Sequence, residues 1–169
     1  MKRLMILASF LLILLVLAAC NRGRVEDVER NPNGGVDITA SITEAEVAGW
    51  MGDVLTVSGN PLLRDPQVDL QSGQIVVTGE HERRDGSGQR VNGSLIFSLS
   101  VVDGALLAQV TDVQIEGITF DDPAITTINQ QLVSRLQRRA DPDSRAINFV
   151  SVSITDDEVR TTINARRND

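Results

Sequence analysis

The sequence predicts an α+β domain, a curved antiparallel sheet carrying two amphipathic helices in the order αββββαββ. Three observations predict it. Two segments, Glu44–Leu55 and Pro123–Arg139, set apolar residues at helical spacing behind helix-start signals. Six others read as strands, the longest alternating apolar and polar residues over Val91–Val101. The joints between neighbouring strands are tight turns, Gln71-Ser72-Gly73, Asp103-Gly104 and Asp156-Asp157, which pair strands antiparallel.

At the amino terminus, Met1-Lys2-Arg3 precedes sixteen residues, Leu4–Ala19, of which only Ser9 is polar. A basic start, an apolar run and small residues are the layout of a secretory signal. As a helix the run spans about 24 Å against about 30 Å of hydrocarbon, short for a permanent span. The tetrapeptide that ends it, Leu17-Ala18-Ala19-Cys20, resembles the lipobox of bacterial lipoproteins. The resemblance implies that 1–19 is a cleaved signal peptide and that Cys20 carries thioether-linked diacylglycerol and an acylated amino group. Two or more acyl chains anchor a protein stably where one does not. The competing readings are an uncleaved signal anchor and an ordinary thiol near the start of a soluble export. Cys20 is the only cysteine, so its modification leaves neither disulfides nor thiol catalysis.

Residues 20–35 then read as the lipidated cysteine and a flexible tether, polar, aperiodic and closed by Asn31-Pro32-Asn33-Gly34-Gly35. A single domain is expected over 36–169. Thr43 with Glu46 makes a capping box, Ile42 with Val47 a hydrophobic staple, and Val47, Trp50, Met51, Val54 and Leu55 the stripe of the first helix. Val68–Leu70 and Gln74–Gly79 form a hairpin, followed by a loop over His81–Arg90. Val91, Gly93, Leu95, Phe97, Leu99 and Val101 share one face of the next strand, and Ala105–Glu116 returns beside it with a phase shift near Thr111 that indicates a bulge. Asp122 caps the second helix with Pro123 at its first position; Ile125, Ile128, Leu132 and Leu136 are its stripe, Arg135, Arg138 and Arg139 suit its C-terminal dipole, and Asp141-Pro142-Asp143 stops it. Ile147–Thr155 and Glu158–Ala165 close the chain as a hairpin.

Composition removes most chemistry. Loss of Lys2 and Arg3 with the signal takes the net charge from −7 to −9, which disfavours nucleic acid, as does an aromatic content of 3%. No nucleic-acid partner is expected. The mature chain has no lysine, no tyrosine and one histidine, His81. Schiff-base, tyrosine and cysteine mechanisms are closed, and a serine hydrolase would have a single imidazole to use. His81, within Glu80-His81-Glu82-Arg83-Arg84-Asp85-Gly86, reads as part of a solvated loop rather than a metal or catalytic residue. Asp121, Asp122, Asp141, Asp143, Asp156, Asp157 and Glu158 sit beside turns and helix ends, where capping explains them, and lack calcium-loop spacing. No catalytic residue, metal ligand or cofactor is expected.

The candidate ligand site is an apolar groove between the helices and the sheet, lined by Trp50, Met51, Val54, Ile125, Ile128 and Leu132. The same residues at the same spacing serve equally as core. From Ile42 to Ile163 the layout resembles YpmS-like lipoproteins and, more distantly, tubular lipid-binding domains. The matching pieces are Ile42-Thr43-Glu44-Ala45-Glu46-Val47, Gln74-Ile75-Val76-Val77-Thr78-Gly79, and Ile115-Glu116-Gly117-Ile118-Thr119-Phe120 leading to Ile128-Asn129. The resemblance implies a curved sheet cradling a helix, room for an acyl chain and no catalytic residues. The expectation is a non-catalytic lipoprotein on the extracytoplasmic membrane face, bound to membrane lipid through Cys20 and to an apolar or lipidic ligand. The alternatives are an envelope adaptor that binds a protein through a filled core domain, and a carboxylate hydrolase. Cys20→Ser should leave the chain unprocessed or released and no longer partitioning into detergent; unchanged processing and membrane retention, read by fractionation, would contradict the lipobox.

Overall fold

The computed structural model describes residues 23–57, 60–140 and 145–167. The signal segment, Cys20 and the Asp141-Pro142-Asp143 stop lie outside the described residues. The elements run β1 Arg24–Arg30, β2 Val36–Thr43, α1 Glu44–Val54, β3 Thr56–Val57, β4 Asn60–Pro61, β5 Arg64–Gln71, β6 Gln74–Glu82, β7 Arg90–Val102, β8 Ala105–Gln114, α2 Pro123–Ala140, β9 Arg145–Ile154 and β10 Glu158–Arg167.

The single curved sheet of order αββββαββ does not form. Two four-stranded antiparallel sheets do, ordered β1-β2-β10-β9 and β5-β6-β7-β8, with β3 and β4 as a short separate ladder. The element order is ββαββββββαββ, and the chain is mostly strand, so the α+β assignment is corrected to a β-rich fold with two helices. The difference has a physical source at each end. β1, Arg-Val-Glu-Asp-Val-Glu-Arg, replaces the expected tether; it is exposed along nearly its whole length and therefore needs no apolar face. β2 does alternate, with Val36, Ile38, Ala40 and Ile42 on one face, a strand signal that runs directly into the stronger helix start that follows. β10 then pairs with β2, Ile163 opposite Ile38 and Val159 opposite Ile42, which draws the last hairpin into a sheet of its own.

The local devices form as expected. Glu46 accepts the Thr43 N–H at 2.8 Å and its hydroxyl at 3.0 Å, so the capping box opens α1. Asp103 and Gly104 take φ of 51° and 75°, the two left-handed positions of a primed turn. Thr111 is the extra residue of the bulge, since Ile96 faces Asp112 while Phe97 faces Val110. Asp122 Oδ1 accepts the Ala124 N–H at 2.8 Å and caps α2 ahead of Pro123.

The core lies between the second sheet and the two helices. Val68, Leu70, Ile75, Val77, Leu95, Phe97, Ala108 and Val110 meet Val47, Met51, Val54 and Leu55 from α1, and Ala124, Ile125, Ile128 and Leu132 from α2; Ile154 and Val159 join from the first sheet. One crossing closes it. Gly79 on β6 faces Gly93 on β7, and a methyl on Gly79 would lie 2.7 Å from the Arg64 carbonyl and 3.1 Å from Leu63 Cβ. One on Gly93 would lie 2.8 Å from Ile115 Cγ1 and 3.2 Å from Leu63 Cδ2. The pair of bare backbones is a slot for Leu63, which is 1% exposed. Gly79→Ala should therefore cost about 1–3 kcal/mol, because backbone must move, whereas Gly52→Ala, helical and facing open space, should add about 0.5–1 kcal/mol. Thermal melts of the two variants check the contrast; equal effects would place the close approach elsewhere.

Candidate functional site

The six residues expected to line a groove are placed together, but as interior. Met51 is 1% exposed, Val54 0%, Ile125 1%, Ile128 0% and Leu132 3%, and Trp50 packs half-buried against them. Sheet and helices meet through these side chains, leaving no apolar cleft at that position. Where the outer sides of the helices diverge there is instead a polar hollow, bordered by Asp53, Thr56, Gln130, Gln131 and Arg135. Gln131 donates to the Thr56 carbonyl there at 3.3 Å.

His81 is not in a solvated loop. The alternation of Ile75, Val77 and Gly79 continues inward to His81 on β6, where it is 5% exposed. Period two was legible through the charged flanks Glu80 and Glu82, which face outward, and that signal places the histidine correctly. Its Nδ1 lies 2.9 Å from the Leu62 carbonyl. The Leu62 N–H in turn donates to the Leu55 carbonyl at 2.8 Å. The imidazole thus latches the crossing strand segment that Gly79 and Gly93 admit.

On its other side the ring borders a cleft of about 410 Å³ lined by Leu62, Arg64, Glu82, Arg83, Arg84 and Ala124, among others. Each arginine has one carboxylate: Arg64 with Glu82 at 3.2 Å, Arg83 with Glu116 at 2.7 Å, Arg84 with Asp122 at 2.6 Å. Only Asp122 among these acids is largely enclosed, its side chain 11% exposed. The Arg84 hydrogen bonds, with the Ala124 amide adding, hold its carboxyl below the ordinary value of 3.8 despite burial pulling the other way. Sequence patterning gave no hint of this cleft, because its arginines come from β5 and the β6–β7 connection and its acids from β6, the Ile115–Ile118 turn and the α2 cap.

Comparison with protein-family models, curated proteins and solved structures finds no match. Function must come from the residues alone. The remaining acids serve local geometry: Asp156 and Asp157 form the β9–β10 turn, and Glu158 pairs with Arg160 at 2.6 Å. Among the described residues no three His, Cys, Asp or Glu side chains are grouped to hold a metal ion, and no helix is long and apolar enough to cross a membrane.

Two outcomes follow from the cleft. His81→Ala removes the partner of a buried carbonyl and opens space beneath it, so unfolding should be easier by on the order of 2 kcal/mol or more; an unchanged melt would show that the latch carries no load. Asp122 has a lowered folded-state pKa, so its ion-paired contribution is fully present above the ordinary carboxylate range and is lost as pH falls through the lowered value. Arg84 is half exposed, and Arg84→Gln should cost only about 0.5 kcal/mol near neutrality. That difference from the parent should shrink below about pH 4, as denaturant midpoints across pH would show.

Proposed function

We propose that this chain is a lipid-anchored protein of the extracytoplasmic membrane face whose domain acts as a non-catalytic adaptor, binding a protein partner by its surface. The filled interior carries this reading: five of the six groove residues are at most 3% exposed, which leaves an acyl chain no room beside them and favours the adaptor over the lipid carrier. The anchor rests on Leu17-Ala18-Ala19-Cys20 behind the apolar run. β1 begins at Arg24, so the chain from Cys20 to the first strand reaches about 14 Å at full extension, and the domain is held close to the bilayer. A hydrolase is disfavoured by the use of its acids as caps and ion partners and by the burial of the single imidazole.

Among the described residues, the large apolar side chains that remain exposed are Val28, Val102, Phe120 and Val150, and they are the positions at which contact with such a partner is tested. Met51→Asn and Ile128→Asn should each destabilise by about 3 kcal/mol or more, as buried amides do, and native mass spectrometry of the detergent-extracted parent should show its covalent acyl chains without free lipid. Photo-reactive residues placed at Val28, Phe120 and Val150 in intact cells should give a discrete protein adduct at one position. Co-extracted lipid, with the two Asn variants melting within a degree or two of the parent, would return the lipid-carrier reading.

A further inference from the structure

Among the described residues, three buried side-chain nitrogens have no hydrogen-bond partner: Arg64 Nε, His81 Nε2 and Arg83 Nε. All three belong to residues lining the same cleft, the one at the start of α2 beside Ala124. Buried polar atoms are nearly always paired, so three in the lining residues of a single cleft describe the group that would pair them. With Nδ1–H given to the Leu62 carbonyl, the neutral form of the ring would present a lone pair at Nε2 and ask for a donor. Each arginine Nε–H asks for an acceptor. The complementary group brings at least two acceptor oxygens and one O–H within one small anion.

We propose that this cleft binds a phosphomonoester or hydrogen phosphate. Its monoanion carries acceptor oxygens for Arg64 and Arg83 and an O–H for His81 Nε2, while guanidinium geometry suits phosphate oxygens. Sulfate and phosphodiesters carry the acceptors without the O–H. The carboxylates Glu82, Glu116 and Asp122 already balance the three arginines through their Nη atoms, so the cleft is not a bare cationic patch that would take any anion. The way in is Arg83. Its ion pair with Glu116 is the most open of those at the cleft on the acid side, with Glu116 58% exposed, so Glu116 is the carboxylate that most readily yields its arginine to a ligand. Glu116 therefore competes with the ligand for Arg83.

His81 is the only histidine, so a full-length chain labelled with 15N-histidine in detergent micelles gives one Nε2 and one Nδ1 resonance. Titrated with inorganic phosphate near pH 6.5 at constant ionic strength, the Nε2 resonance should move saturably while equimolar sulfate leaves it in place. Arg83→Gln should weaken the phosphate response at least about fivefold. Glu116→Gln should tighten it roughly two- to fivefold, the worth of an exposed ion pair, a gain that misfolding cannot imitate. A second arm replaces free phosphate with phosphatidylcholine micelles containing phosphatidic acid, a monoester, or phosphatidylglycerol, a diester. A response to phosphatidic acid alone assigns the site to a lipid headgroup, and a response to free phosphate assigns it to a soluble ligand; either supports the monoester chemistry. An Nε2 resonance that stays still in both arms, that answers sulfate or phosphatidylglycerol equally, or that Glu116→Gln fails to sensitise, overturns the proposal.

Discussion

Two glycines with nothing between them decide how this chain closes. Because Gly79 and Gly93 face each other on adjacent strands, the Leu62–Arg64 segment can lie against the sheet with its backbone within 2.7 Å of where a methyl would be. Leu63 fills the slot, Leu62 is tied by its N–H to the end of α1 and by its carbonyl to His81, and Ile115 leans in from the far side of β7. The link between α1 and β5, and with it the seating of α1 on the second sheet, depends on that approach. A side chain at either glycine would lift the crossing segment and loosen the histidine with it.

The same economy governs the sheet edges. Strand edges expose backbone groups that invite unwanted pairing, and local contacts cover three of the four edges of the two four-stranded sheets. On β5 the Leu70 N–H is taken by Glu44 at 2.9 Å, and on β8 the Val110 N–H is taken by Asn129 at 2.8 Å, so each helix caps an edge as well as covering a face. β9 is stitched to the hairpin tips of the other sheet, Phe149 N–H to the Gly104 carbonyl at 2.8 Å and Gly73 N–H to the Ile154 carbonyl at 3.0 Å. β1 is guarded differently, by five charges in seven residues and a register shift between Val25 and Asp27.

What the sequence disclosed follows from which forces act locally. Caps, primed turns and the Thr111 bulge depend on residues within a few positions of one another, and each was readable. Pairing of β2 with β10 joins Ile38 to Ile163 across the whole domain, and no local pattern says that the final hairpin belongs with the first strands rather than with β8. β1 was unreadable for the opposite reason, since an edge strand that buries nothing leaves no periodicity. The helix stripes were legible as apolar faces, but period alone says only that a face is covered. Whether sheet or ligand covers Met51 and Ile128 is a matter of distance between elements, which composition does not encode. At His81, charged neighbours masked a strand whose inward phase was intact.

Charge and attachment make sense only together. A mature chain at −9 would be repelled by an anionic leaflet, and among the described residues the arginines at the cleft are matched to Glu82, Glu116 and Asp122, and Arg160 to Glu26 and Glu158. The net charge of such a chain therefore works against adhesion to an anionic surface. Under the anchoring proposed above, retention falls wholly to the acyl chains on Cys20, while a link of about 14 Å holds the domain within two Debye lengths of the surface, each about 8 Å at physiological salt. At that height the repulsion is mostly screened yet still orients an acidic body away from the headgroups. On these proposals the domain is fixed near the bilayer without adhering to it, its faces left for a partner and the cleft beside His81 left for a small anion.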